Sequence, residues 1–177
     1  GNATFTGAVD LDGGDITTTV TTSAGGGDII FTSTINDNIA GETDLTLVAG
    51  TGDVDLRGNV GATIRVDDFT VTSAANADLL NVVADAIAVT ATSIDLESTT
   101  YTATVGNATF TGAVDLDAGA ATTTVTTSAG GGNIIFTSTI DDNIAKETDL
   151  VLVAGAGDVD LRGNVGGTTA IDDFTVT

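Results

Sequence analysis

Carboxylates supply most of the chemistry open to this 177-residue sequence. Its 22 Asp and 3 Glu stand against four cations, for a formal net charge of −21. Asp28, Asp53 and Asp78 recur at a constant interval, and Asp158 fills the same slot in a later repeat. Asn2, Asn107 and Asn133 take the remaining places. Stacked at the ~4.8 Å spacing of a β-ladder, neighbouring charges repel by about 1 kcal/mol in bulk water and more beside a low-dielectric surface. Calcium, a hard cation that takes oxygen ligands, would relieve that repulsion. Asp28, Asp53, Asp78 and Asp158 are therefore the candidate metal residues, a calcium ladder. The competing expectation is that these Asp are solvated, diluted by Asn, and serve solubility alone. The Gly-Gly-Gly-Asp of 25–28 and the Gly-Thr-Gly-Asp of 50–53 do not fit the glycine-rich calcium nonapeptide, and no nine-residue period exists.

Paired carboxylates also hydrolyse glycosides. Here, however, nearly every acid recurs 105 positions on: Asp10 as Asp115, Asp67 as Asp172, Glu42 as Glu147. A catalytic centre is made once, so this duplication points away from an enzyme. Without His or Cys there is no imidazole acid or base, no thiol nucleophile and no ordinary zinc site. Four cations on so acidic a chain exclude nucleic acid as a partner. No apolar run approaches the length needed for membrane insertion. Threonine runs such as 17–22 and 122–127 raise the idea of an ice-binding face, but Leu45-Thr46-Leu47-Val48 and Val54-Asp55-Leu56-Arg57 break the pattern. Arg57 and Arg162 sit beside Asp55 and Asp160 and read as local ion pairs.

These groups are positioned by a repeat. Residues 1–72 match 106–177 at a constant offset of 105, with 60 of 72 positions identical. The domains are accordingly 1–105, a first full unit of four coils, and 106–177, a second, truncated unit continuous with it. The simplest expectation is a window on a longer tandem array. Within the unit runs a finer period. Gly-Asp/Asn, an aromatic or Leu three positions on, then Gly/Ser and Val/Ile, starts at Gly1, Gly27, Gly52, Gly106, Gly132 and Gly157, with a degenerate copy at Ala77.

A unit of about 26 residues cannot bury a core of its own, but stacked on its neighbours it closes a continuous one. Alternating β-branched and polar residues make its segments strands. The expected fold is all-β, a parallel β-solenoid with coils of about 26 residues. One inward column would hold Phe5, Phe31, Leu56, Leu80, Phe110, Phe136 and Leu161. A second would hold Val9, Ile35, Val60, Val114, Ile140 and Val165. Corner glycines are expected to supply positive φ. The alternative is a pair of Ig-like β-sandwich repeats, for which the length of the unit is right, although Trp and Pro are absent and the shorter sub-period has no place there. Residues 77–87 could be helical by composition, with a poorly fitting strand favoured.

The segments GNATFTGAVDLD (1–12), GGGDIIFTSTI (25–35) and LVAGTGDVDLRGNVG (47–61) resemble the repeats of filamentous haemagglutinin-type adhesins and related giant bacterial exoproteins. That resemblance implies a right-handed parallel β-helix, secretion to the extracellular space or cell surface, and a role as stalk, fibre or adhesive filament. The implied partners are neighbouring repeats of the same chain and, in a multi-chain filament, further copies. The alternative is a calcium-responsive or directly adhesive binding module.

Overall fold

The computed structural model describes residues 1–127 and 130–177. It is an all-β parallel solenoid of about seven turns, and among the described residues the single helical element is the 3-10 turn Ser23–Gly25. Three parallel ladders run the length of the rod. The first face stacks Ala3–Phe5, Ile29–Phe31, Val54–Leu56, Asn76–Leu79, then 93–96, 113–116 and Ile140–Asp142. The second stacks Val9–Leu11, Ile35–Asp37, Val60, 82–84, Thr100–Ala103, Thr122–Thr126, Asp149–Val153 and Phe174–Val176. The third stacks Thr17–Thr21, Asp44–Val48, Val66–Ser73, 86–90, 108–111, Ile134–Phe136 and Val159–Leu161.

Inward residues alternate with outward ones along every strand, as the side-chain period of two requires. The first-face column runs Phe5, Phe31, Leu56, Leu79, Leu96, Leu116. Phe5 and Phe31 stack at 4.4 Å between ring centroids. Leu79, not Leu80, fills the fourth slot, and 77–87 is strand apart from Leu80 and Asn81, with Ala77, Leu79, Val82, Ala84 and Ile87 turned into the core. Tyr101 is fully buried in the second-face column. Its hydroxyl donates to the Leu79 carbonyl at 2.7 Å, which lets a polar group sit in an apolar core.

Coil length varies. Along the first face the successive register partners are Ala3, Ile29, Val54, Ala77, Ile94, Val114 and Ile140. The step is longest at either end of that series and shortest from Ala77 to Ile94. The strand Val82–Leu96 wraps around all three faces with no loop at its corners. Those narrow coils break the expected phase. From Ala3–Phe5 to its image at 108–110 the chain passes fourteen strand positions, which is four and two-thirds turns rather than four coils. The second copy is therefore seated one face back. Phe110, Phe136 and Leu161 continue the third-face column of Val20, Leu47, Val71 and Val89. Val114, Ile140 and Val165 continue Ile29, Val54, Ala77 and Ile94 on the first face. Each expected column is thus two columns, joined by sequence and parted by a third of a turn.

At the corners Gly26, Gly50, Gly131 and Gly155 supply the expected positive φ, whereas Gly27, Gly52, Gly132 and Gly157, which open sub-repeats, are needed for close approach. A Cβ on Gly52 would stand 2.2 Å from the Gly27 carbonyl oxygen, and one on Gly157 would stand 2.1 Å from that of Gly132. Backbone there packs on backbone with nothing flexible to yield. We predict that Gly52→Ala destabilises the fold by about 1–3 kcal/mol, the cost of overpacking. Gly7→Ala, whose Cβ meets nothing within 4 Å, is expected to be neutral. Chemical denaturation of both variants checks this, and equal midpoints would refute the close-approach argument.

Candidate functional site

The four candidate calcium residues do not form one ladder. Asp28 and Asp53 do stack, between Asn2 on one side and Asn76 on the other. Each side chain caps the next rung: Asn2 Oδ1 accepts the Asp28 N–H at 3.0 Å, Asp28 Oδ1 the Asp53 N–H at 3.1 Å, and Asp53 Oδ1 the Asn76 N–H at 3.0 Å. Asp158 ends the equivalent ladder of the second copy, below Asn107 and Asn133 (2.8 and 2.9 Å). That ladder lies at the start of the third face, so Asp158 is separated from the others by the phase slip. Asp78 belongs to neither ladder, because Asn76 takes the capping slot. The carboxamide oxygen of Asn is as good an acceptor as carboxylate, which is why Asn and Asp interchange in these positions.

Asp78 instead joins a column that the sequence periodicity does not reveal. Asp55, Asp78, Asp95, Asp115 and Asp141 are register partners on five successive coils of the first face. Only Asp55 has a cation, Arg57, whose Nε donates to it at 2.8 Å. Asn76 Nδ2 donates to Asp78 Oδ1 at 2.6 Å and to Asp95 Oδ2 at 3.0 Å. Burial raises the Asp78 carboxyl to about 7, reinforced by its hydrogen bond with Asp95 and by the charges of Asp95, Glu97 and Asp55. Burial, then neighbouring carboxylates, also pushes Asp115 and Glu97 up. Alongside lies a shallow depression of about 150 Å³ bordered by Asp28, Ile30, Asp53, Asp55, Arg57 and Asp78. Three of the four candidates thus share one hollow. Among the described residues, however, no three acidic side chains converge closely enough to hold a metal ion.

Two further acids have roles that composition did not disclose. Asp37 and Asp142 point into the coil and are buried. Asp37 Oδ2 accepts the N–H groups of Thr43 (2.7 Å) and Glu42 (3.1 Å), and Asp142 Oδ2 those of Thr148 and Glu147 (2.9 Å each). They tie down the long corner loops. The sequence signal available was a polar residue at an inward position of an alternating strand.

Arg65 reaches across the second corner to Asp85, which Thr104 also contacts. The Arg65 hydrogen bond holds the Asp85 carboxyl below its ordinary range. The pair packs over Gly41, where a Cβ would meet Asp85 Oδ2 at 2.8 Å and Arg65 Nη2 at 2.9 Å. In the second copy Arg65 becomes Ala170 and Gly41 becomes Lys146, which keeps the left-handed backbone (φ 64° against 71°). The cation has moved from one strand of the corner to the other. Comparison of the chain with family models, with curated proteins and with solved structures returns no match.

Two outcomes are expected. Asp53→Asn retains the thermal midpoint because the cap survives, whereas Asp53→Ala loses about 1 kcal/mol. A loss with Asn equal to that with Ala would show that the charge, not the acceptor, is needed. At the corner, Arg65→Ala and Gly41→Lys each lower stability, and the double variant recovers part of the sum through a coupling of about 0.5–3 kcal/mol. Additive losses in a double-mutant cycle would sink the exchange.

Proposed function

We propose that this chain is a structural segment of a long extracellular rod on a bacterial surface, a stalk or fibre whose length is set by the number of repeats. The observation that carries the reading is the phase slip. A linear binding face needs its residues aligned along one side of the rod. Here the two copies, identical at 60 of 72 positions, are turned by a third of a turn relative to each other. What they hold in common is not a side of the rod but the ability to stack. The acids support the same reading, since the repeated Asp and Asn residues cap backbone N–H groups and need no substrate or cofactor to account for them. The resemblance to filamentous haemagglutinin-type repeats supports the surface location and the secretory route. On this reading the partners are neighbouring repeats of the same chain, and no catalytic step is involved.

In an array, each unit of four and two-thirds turns adds about 22 Å at the ~4.8 Å strand spacing. Deleting one unit from the natural array is expected to shorten its projection from the cell surface by that amount, measured by electron microscopy, and to leave binding to its target unchanged. Binding that falls in proportion to the units removed would make the repeats themselves the adhesive surface. A thermal midpoint that rises with calcium and falls with EDTA would make the segment a cation-braced module instead of a plain spacer.

A further inference from the structure

Both end coils of the stack have images inside the chain, and the images are covered where the ends are open. Residues 1–12 and 106–117 are identical in sequence. In the second copy 108–110 lies between 87–89 and Ile134–Phe136, and Ala108 and Phe110 are wholly buried. Among the described residues Ala3–Phe5 pairs only with Ile29–Phe31, so its other edge is open and Phe5 is only partly buried. At the far end Val159–Leu161 pairs only with Ile134–Phe136. Its image Val54–Leu56 lies between Ile29–Phe31 and 77–79, and Val54 and Leu56 are buried. Beside that open strand Phe174 and Val176 are 42% and 49% exposed, whereas their images Phe69 and Val71 are buried.

The two open edges fit each other. The strand that covers Val54–Leu56 reads Asn76-Ala77-Asp78-Leu79, and the open first strand carries the same pattern, Asn2-Ala3-Thr4-Phe5. In that register Ala3 lies over Val159 and Phe5 over Leu161, as Ala77 lies over Val54 and Leu79 over Leu56. Val9 then follows over Val165 as Val82 does over Val60, and Val20 over Val176 as Val89 does over Val71. The backbone is complementary too. The Ala3 N–H donates to the Asp28 carbonyl and the Phe5 carbonyl accepts from Thr32, which turns the peptide groups of Thr4 to the open side. Ile134 donates to the Asp158 carbonyl and Arg162 to that of Phe136, which turns the groups of Val159 and Leu161 outward to meet them. Asp53 Oδ1 accepts the Asn76 N–H at 3.0 Å. Its image Asp158 caps no further rung among the described residues, and Asn2 would bring an N–H to that place. Asp55 faces Asp78 inside the rod, whereas Asp160 would face the uncharged Thr4.

We propose that the first coil of one copy stacks on the last coil of a second copy, so that the segment assembles head to tail into an open filament. An unblocked strand edge is a template for another chain. A contact between two different surfaces that does not close on itself builds a filament rather than a dimer. From Ala3–Phe5 to the same strand of the next copy the path counts twenty-three strand positions, or seven and two-thirds turns. The axial repeat is then ~37 Å at the ~4.8 Å strand spacing. A further coil of the same chain would be held by the same contacts, so the 177-residue chain by itself leaves only a second copy to supply them. The proposal rests on register and not on the spacer reading, which a strictly monomeric chain would leave intact.

The chain has no Cys, so single-cysteine variants report the register. Thr4→Cys and Asp160→Cys, mixed in equal amounts and oxidised gently, would face each other at the ~4.8 Å ladder spacing, within reach of a disulfide. The like charges of the two copies are screened by working at about 0.15 M salt. The crosslink between positions 4 and 160 is expected to outnumber the two like-with-like crosslinks together by about fivefold, where random collision gives parity. Parity overturns the proposal. In the native chain, sedimentation velocity should show mass rising with concentration, and electron micrographs should show filaments with the ~37 Å repeat. A chain that stays monomeric up to about 1 mM overturns it as well. Thr4→Pro removes an N–H that the single chain leaves unused, a change an edge strand tolerates. It is expected to abolish assembly while the circular dichroism of the monomer is kept, and undiminished assembly would count against the junction.

Discussion

A coil of parallel strands cannot satisfy its own backbone. Its strand N–H and C=O groups point along the rod axis, so its ladder bonds run to the coil above or the coil below. The chain meets that constraint by register. Ala3 pairs with Ile29, Ile29 with Val54, Val54 with Ala77, and the ladder continues through Val165. Register in turn places like above like, so that apolar residues close a core that no single coil could bury. Phe31 on Phe5, and Phe136 on Phe110 at 4.9 Å, are products of stacking before they are sources of stability.

The same constraint acts on the charges. An outward Asp can serve a stacked rod in one of two ways, and both occur. At the corner starts the side-chain oxygen reaches down to the N–H of the next rung, so Asp28 and Asp53 serve as Asn2 and Asn133 do. In mid-strand Asp55 holds Arg57 and Asp141 Oδ1 accepts the N–H groups of Thr168 (2.7 Å) and Thr169 (3.1 Å), while Asp78, Asp95 and Asp115 stand between them as register partners of one another. Reach to a backbone N–H, rather than residue type, decides whether an acid caps the stack or only faces its neighbours.

Most of the fold was legible because stacking leaves a period in the sequence. The glycine corners, the alternation of Ile, Leu and Phe with Thr and Asp, and the inward slots of Phe5, Phe31 and Leu56 all follow from it. The phase slip was not legible, for a physical reason. A solenoid conserves strand count per turn and not residue count, and a corner can be a long loop or no loop at all. Between Ala77 and Val114 the connections shorten, and within Val82–Leu96 and Ala108–Leu116 they vanish, so a constant sequence offset between the copies conceals a fractional number of turns. The site suffered from the same cause. Counting along the sequence put Asp78 in the capping column, whereas the register puts Asn76 there, two positions earlier. Tyr101 escaped notice as a core residue because its hydroxyl is satisfied by the Leu79 carbonyl, a partner on the neighbouring coil.

The fractional turn also bears on the shape of any array built from this unit. Each unit is uneven along its axis, with broad coils such as that from Ala3 to Ile29 giving way to narrow ones such as that from Ala77 to Ile94. With four and two-thirds turns, successive units are rotated by a third of a turn. Three units return to the starting face after fourteen turns. Acids repeated in each unit, such as Asp55 on the first face and Asp160 on the third, are carried round in the same way, which keeps like charges of successive units off one continuous line and spreads their repulsion around the axis. That spread of charge comes from the shortened connections between Ala77 and Val114, which set the fraction of a turn by which the copies differ.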